Sequence, residues 1–276
     1  MIHNQWSDKT AQEWCDAAPL TPADQALALR VYTSRLIGTD PDLVMHGGGN
    51  TSIKVQRLNL FGEMEDVLHV KGSGWDLEFI EAAGLPGLRL EPLQRLRALD
   101  VLSDEDMINV QRNNLLDGTA PNPSVETLLH AYLPRTYVDH THATAFLVLA
   151  NLPNAADRCR EIFGDRLGIV PYIMPGFALA KMAADVYEAN PDVEGLLLLQ
   201  HGHFAFGDTA KQSYERIVEH TNLAAAAIGL DGPTHLAARD YDEVPDAVMD
   251  LRGALVGGSG RNAAPMPILD VRADRF

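Results

Sequence analysis

Apolar residues recur along this chain in two rhythms, one near 3.6 residues and one of 2, and the switches between them lay out its elements. Leu27, Leu29, Val31, Leu36 and Ile37 mark a helix. Thr21-Pro22-Ala23-Asp24 opens it with a hydroxyl cap, an early proline and an acid in the first turn, and Gly38 closes it. Gly47-Gly48-Gly49-Asn50 then breaks the period, and residues 51–55 alternate as a strand. A second short strand, 67–70, runs into Lys71-Gly72-Ser73-Gly74. Glycine at two successive strand edges predicts backbone held open to a ligand.

Helical spacing returns over 104–116 and over 125–132, the latter capped by Asn122-Pro123-Ser124 and stopped by Pro134. Residues 137–142 read as a strand flowing into an apolar helix, 143–150. A further strand is predicted over 168–174 and a helix over 177–188, ended by Asn190-Pro191. The four leucines 196–199 suit a strand buried on both faces, which delivers Gln200-His201-Gly202-His203 at its end. Asp208 caps a long helix in which Ala210, Tyr214, Ile217, Val218, Thr221, Ala225 and Ile228 share a face. Strands alternating with helices predict one layered α/β domain over 21–230. An N-terminal extension, 1–20, precedes it, and a tail, 231–276, follows, where the periodicity weakens.

Charge narrows the partners. Lys plus Arg is 22 against 38 for Asp plus Glu, a net charge of −16, which repels nucleic-acid backbones and anionic lipid. Two cysteines, Cys15 and Cys159, are too few for a disulfide framework, and no apolar run reaches the roughly 18 residues of a membrane span. The expectation is a cytoplasmic protein without nucleic acid or membrane as a partner.

Candidate chemistry centres on Asp139-His140-Thr141-His142. Residues two apart on a strand share a face, so both imidazoles can meet one metal ion. Either His201 or His203 can add a third from the end of the leucine strand, and parity alone does not choose between them. Glu126 supplies a carboxylate, although its place in a first helical turn also suits a simple dipole charge. Three imidazoles and one carboxylate leave zinc coordination open to substrate, a pattern suited to proton abstraction beside a carbonyl.

Gly48-Gly49-Asn50-Thr51-Ser52, Gly72-Ser73-Gly74, Pro123-Ser124-Val125-Glu126, His140-Thr141-His142 and Gln200-His201-Gly202 follow one another in an order that resembles the class II aldolase/adducin family, over about residues 20–230. In form, segments 46–52 and 70–76 are most similar to the aldolase half of bifunctional rhamnulose-1-phosphate aldolase/lactaldehyde dehydrogenases. No Gly-x-Gly-x-x-Gly follows a strand as a dinucleotide site requires. The resemblance implies a three-layer α/β/α sandwich with a central mixed, mainly antiparallel sheet. It implies Zn²⁺, or another divalent ion such as Mn²⁺, on His140, His142 and His201, with Glu126 as acid/base and His203 a bystander. Gly49, Asn50, Thr51, Ser73, Gly74, Ser124 and Lys71 would hold a sugar phosphate, helped by the charge of Lys54. Val125 stands where some fuculose-phosphate aldolases carry a second serine. Tyr172 would donate a proton in the neighbouring subunit's site of a homotetramer. His46, His69, His130 and His220 are expected to be structural.

The implied reaction is retro-aldol cleavage of a ketose 1-phosphate, such as rhamnulose 1-phosphate, to dihydroxyacetone phosphate and an aldehyde. Sugar-phosphate 4-epimerisation, a lyase or decarboxylase reaction, and a non-catalytic adducin-like interaction role are the alternatives.

Overall fold

A computed structural model describes residues 1–19 and 21–230; the predicted tail, 231–276, lies outside the described residues. Among the described residues seven strands form one sheet: β1 (Asn50–Leu58), β2 (Met64–Val70), β3 (Gly87–Arg89), β4 (Tyr137–Thr141), β5 (Leu167–Val170), β6 (Gly195–Leu198) and β7 (Gly202–Gly207). Their spatial order is β3-β2-β1-β4-β7-β6-β5. Only the β5–β6 pair is parallel, so the sheet is mixed and mainly antiparallel. The helices are α1 (Asp8–Ala17), α2 (Pro22–Gly38), α3 (Leu90–Arg95), α4 (Asp104–Asn113), α5 (Thr127–Tyr132), α6 (Thr144–Ala150), α7 (Ala155–Phe163), α8 (Phe177–Ala189) and α9 (Ala210–Ala227).

Strand alternation divides the apolar side chains between two cores. One face of the sheet gives Ile53, Tyr137, Leu197 and Ala205 to a core shared with α2, α6, α7 and α9. The other gives Val70, Val138, Leu198, Phe204 and Phe206 to a core shared with α3, α4, α5 and α8. Helices therefore cover both faces, the layering the motifs implied. On the first face Arg30 of α2 and Asp139 of β4, both without exposure, form an ion pair at 2.6 Å. Ser213 of α9 donates to the second Asp139 oxygen. This pair holds β4 on the side opposite His140; breaking such a buried pair by removing one partner typically costs about 3–5 kcal/mol.

Several elements differ from the sequence expectation for local reasons. The strand predicted over 168–174 stops at Val170, since Pro171 has no amide to continue a ladder. The long C-terminal helix is capped by Thr209 rather than Asp208: the Thr209 hydroxyl accepts from Gln212 N at 3.1 Å, and the Gln212 side chain accepts from Asp208 N at 2.9 Å. The apolar stretch after Glu194 is two strands, folded back at Gln200, whose φ of 56° makes the tight turn. The N-terminal segment packs through Trp6 and Trp14 against Tyr32 of α2, with ring centroids 5.3 and 6.2 Å apart.

Candidate metal centre

β4 lies between β1 and β7, both antiparallel to it, so its C-terminal end meets both of their starts. Asn50 stands opposite His140, and His203 opposite Thr141. His140 is fully buried and stacks on Phe204 at 4.2 Å. His142 falls one residue beyond β4, so the strand period does not by itself align it with His140 as the sequence suggested. The chain nonetheless brings their Nε2 atoms to 2.9 Å. His201 enters from the β6–β7 turn, and ligand atoms of all three histidines lie within 4.8 Å of one another. Nitrogens bound tetrahedrally at about 2.0–2.1 Å from zinc stand about 3.4 Å apart, so the cluster is near coordination geometry.

The protonation states fit metal binding. His140 Nδ1 donates to the His203 carbonyl at 3.1 Å, which leaves Nε2 free as a ligand. Burial lowers its pKa to about 3, and burial with the neighbouring His201 lowers that of His142, so both are neutral at pH 7. His203 is a bystander as expected: its ring stacks on Phe146 at 4.0 Å and its Nε2 meets His220 Nδ1 at 3.1 Å.

Glu126 is the N-cap residue of α5, but its side chain makes no capping bond. Instead Oε2 lies 3.4 Å from His140 Nε2 and Oε1 lies 3.2 Å from His201 Nε2. Burial opposes its ionisation, but His140, His201 and the Asn50 amide outweigh that and hold the carboxyl well below the usual range. Oε1 and His201 Nδ1 are both buried without a hydrogen-bond partner. Three imidazoles and a buried carboxylate oxygen facing them make a donor set that fits a divalent ion of zinc type.

Gly202 explains why glycine follows the third histidine. A Cβ there would come 2.7 Å from the Thr141 carbonyl, 3.0 Å from His142 Cδ2 and 3.1 Å from His140 Cε1. The closest contact is with backbone, so the end of β4 must shift against β7 and carry the two imidazoles with it. Gly202→Ala is expected to weaken zinc binding by about 10–100-fold, as misoriented ligands do, and to destabilise the fold by about 1–3 kcal/mol. Competition with a chromophoric chelator and thermal unfolding check both.

Lys71, Ser73, Gly74 and Ser124 share one loop edge. Gly72 bridges Pro123, and Ser73 N donates to the Asn122 carbonyl at 2.8 Å. Ser73 and Gly74 are exposed there, Gly74 with φ 87°. Lys71 is buried and donates to the Gly47 carbonyl at 2.8 Å; burial lowers its pKa against the pull of Asp76 and Glu126. Lys54, half-buried, donates to the Arg135 carbonyl at 2.9 Å, and burial lowers its pKa to about 7. Gly49 has φ 64° and packs so closely that a Cβ would lie 2.8 Å from the His140 carbonyl.

Other residues sit differently from the expectation. Thr51 is turned to the opposite face of β1, fully buried, with its hydroxyl 2.8 Å from Ser34 Oγ, so strand alternation removes it from the loop edge. Asn50 already uses its amide hydrogens on Glu126 Oε2 at 2.6 Å and Ser124 Oγ at 3.3 Å. Tyr172 is half-exposed after β5, its hydroxyl donating to Met174 Sδ at 3.0 Å, and no described contact joins it to the histidines. His69 is structural, with Nδ1 donating to the Leu85 carbonyl at 2.8 Å and Nε2 accepting from Arg57 at 3.1 Å. His46 adopts left-handed backbone in the glycine loop. His130 is the surprise: expected to be structural, it lies in the Glu126 hydrogen-bond network. Its position four residues after Glu126 places it on the same helix face, but what that face meets is set by β1.

The described part of the chain has known counterparts. The family described as Class II Aldolase and Adducin N-terminal domain matches residues 28–228. The curated protein "Uncharacterized oxidoreductase YuxG" of Bacillus subtilis (strain 168) is 39% identical over 188 residues, 68% of this chain and 27% of that protein. The match thus spans about a quarter of that relative's length. Among solved structures, the N-terminal class II aldolase domain of a conserved protein from Thermoplasma acidophilum superposes with a TM-score of 0.72 at 36% identity. It covers 83% of this chain and all of its own. A sugar-phosphate aldolase from Thermotoga maritima shares the fold with a TM-score of 0.54 at 15% identity, covering 75% of this chain and 97% of its own. No helix among the described residues is long and apolar enough to cross a membrane.

Proposed function

Because the chain belongs to the class II aldolase and adducin family, we propose that it is a metal-dependent aldehyde-lyase cleaving a ketose 1-phosphate to dihydroxyacetone phosphate and an aldehyde. The observation that carries this reading is Glu126, a buried carboxylate whose Oε1 has no hydrogen-bond partner and lies 3.2 Å from His201 Nε2, beside the imidazoles of His140 and His142. A base held next to three ligands suits proton transfer at a carbon beside a polarised carbonyl.

His140, His142 and His201 would hold Zn²⁺, with Mn²⁺ an alternative, which supplies Lewis-acid polarisation of the substrate's carbonyl and hydroxyl oxygens. Glu126 serves the reacting carbon. In cleavage the bond between C3 and C4 breaks as the C4 hydroxyl loses its proton, and Glu126 returns a proton to C3; in condensation it removes that proton. Ser73, Gly74 and Ser124 offer hydroxyl and amide donors to the phosphate, with Lys71 behind them as positive charge. Tyr172, half-exposed in this chain, is assigned to the C4 oxygen in a neighbouring subunit's site, within a homotetramer, taking that oxygen's proton in cleavage and donating it back in condensation. The form of segments 46–52 and 70–76 favours rhamnulose 1-phosphate as the ketose, and a cytoplasmic setting suits such a substrate.

The test is a panel of ketose 1-phosphates incubated with metal-loaded protein, assaying dihydroxyacetone phosphate and trapping free aldehyde. Equal amounts of both from rhamnulose 1-phosphate are expected. An epimeric sugar phosphate with no free aldehyde would replace cleavage with 4-epimerisation. No conversion of any sugar phosphate by fully loaded protein would overturn the reading.

A further inference from the structure

Four side chains behind the metal centre form one chain of hydrogen bonds. Ser52 Oγ lies 2.7 Å from His130 Nδ1. His130 Nε2 bonds Asn50 Oδ1, and Asn50 Nδ2 lies 2.6 Å from Glu126 Oε2. Ser52 and His130 are fully buried, and Asn50 and Glu126 nearly so. Strand parity puts Asn50 and Ser52 on one face of β1, and helical spacing puts Glu126 and His130 on one face of α5.

The chemistry of the last member fixes the direction of every bond. A carboxylate only accepts, so the Asn50 NH₂ must face Glu126. Asn50 Oδ1 then faces His130, which must carry its proton on Nε2. Nδ1 is left as an acceptor, and the Ser52 hydroxyl must donate to it. The opposite histidine tautomer would set a lone pair against Asn50 Oδ1, or would flip the amide and set its oxygen against the carboxylate. Burial keeps His130 in the neutral form that this arrangement needs, its pKa well below the usual value. The outcome is a carboxylate with Oε2 pinned and Oε1 unpartnered on the His201 side.

We propose that His130 is a positioning residue for the acid/base reaction: acting through Asn50, it fixes the Glu126 carboxylate so that Oε1 is the oxygen presented to the reacting carbon. The inference rests on the proposed lyase reading for its kinetic consequence, but the direction of the hydrogen-bond chain stands apart from any reaction.

Two measurements test it. On metal-free protein with ¹⁵N-labelled histidine, long-range proton–nitrogen correlation spectra are expected to report His130 protonated at Nε2 and unprotonated at Nδ1. The Nδ1-protonated tautomer overturns the proposal whatever the enzyme does. For kinetics, His130→Leu removes the donor to Asn50, and His130→Gln restores an amide N–H there with a carbonyl for Ser52. Leu is expected to lower kcat by about 10–100-fold, as loss of an orienting partner does, with KM and bound metal unchanged. Gln is expected to recover most of that loss. A Gln variant as slow as Leu, or a Leu variant whose activity falls only with its folded fraction, overturns the proposal. Should wild-type protein convert no sugar phosphate, the lyase reading fails, and the tautomer measurement still decides the hydrogen-bond chain.

Discussion

Glu126→Gln is expected to lower cleavage and proton exchange by about 10³-fold, within the range general acid/base groups contribute, while leaving metal content near that of the wild type. The substitution is nearly isosteric, and a Gln carbonyl can still accept from Asn50 Nδ2, now 2.6 Å from Oε2. What is lost is a group able to exchange a proton at the Oε1 position. The three histidines remain, and His140 keeps its tautomer through the His203 carbonyl. Rate and metal should therefore separate: single-turnover cleavage assays give the first, and elemental analysis of the same sample gives the second. A variant that loses metal in proportion to activity would place Glu126 among the structural ligands instead.

The second large effect concerns His142. It is exposed, whereas His140 is enclosed against Phe204, so His142→Ala removes one ligand without opening a cavity in the core. Apparent zinc affinity is expected to fall by about 10³-fold, since two imidazoles replace three in a site whose binding energy comes from its ligand count and geometry. Activity should fall with it. Zinc binding only the native state raises thermal stability by mass action, so wild-type protein should gain melting temperature on zinc addition and His142→Ala should gain little at the same concentration. Equal shifts in the two proteins would mean that the histidines do not form the principal site.

How much of this was legible beforehand varies with the physics of each part. The His140 and His142 pair was visible because it is local: two residues apart at a strand end, they need only the chain's own geometry to meet. Glu126 and His201 were visible through motif order, yet neither was placed by periodicity. Their convergence depends on β4 standing between β1 and β7, a pairing across more than 50 residues that no local pattern encodes. The fold between the motifs was partly hidden. β7 was not anticipated after the leucine strand, because a turn made by Gln200 in left-handed backbone carries no glycine or proline to announce it. Thr51 was placed on the ligand side by the motif as a block, although it opens a stretch that alternates as a strand. It lies in β1, where alternation sends Asn50 and Ser52 to one face and Thr51 to the other. His130 was passed over for the opposite reason. A buried helical histidine is usually structural, and only the three-dimensional meeting of α5 with β1 reveals what it faces.

The charge of −16 takes on a narrower meaning beside this site. It describes the chain as a whole, while the loop edge carries Lys71 and amide and hydroxyl donors next to neutral imidazoles. An anionic sugar phosphate would be met locally by donors and by the charge of the bound ion.

The measurement that bears most directly on the central claim is proton exchange on dihydroxyacetone phosphate in D₂O, followed by NMR in the absence of any aldehyde. It isolates the step assigned to Glu126 and the histidine cluster from substrate choice and from Tyr172. With zinc bound, one hydrogen on the hydroxymethyl carbon should exchange stereospecifically. Chelation should stop the exchange, added zinc should restore it, and Glu126→Gln should be nearly inactive with metal still in place. Exchange that persists after complete metal removal, or no exchange by protein carrying stoichiometric zinc, would contradict the account.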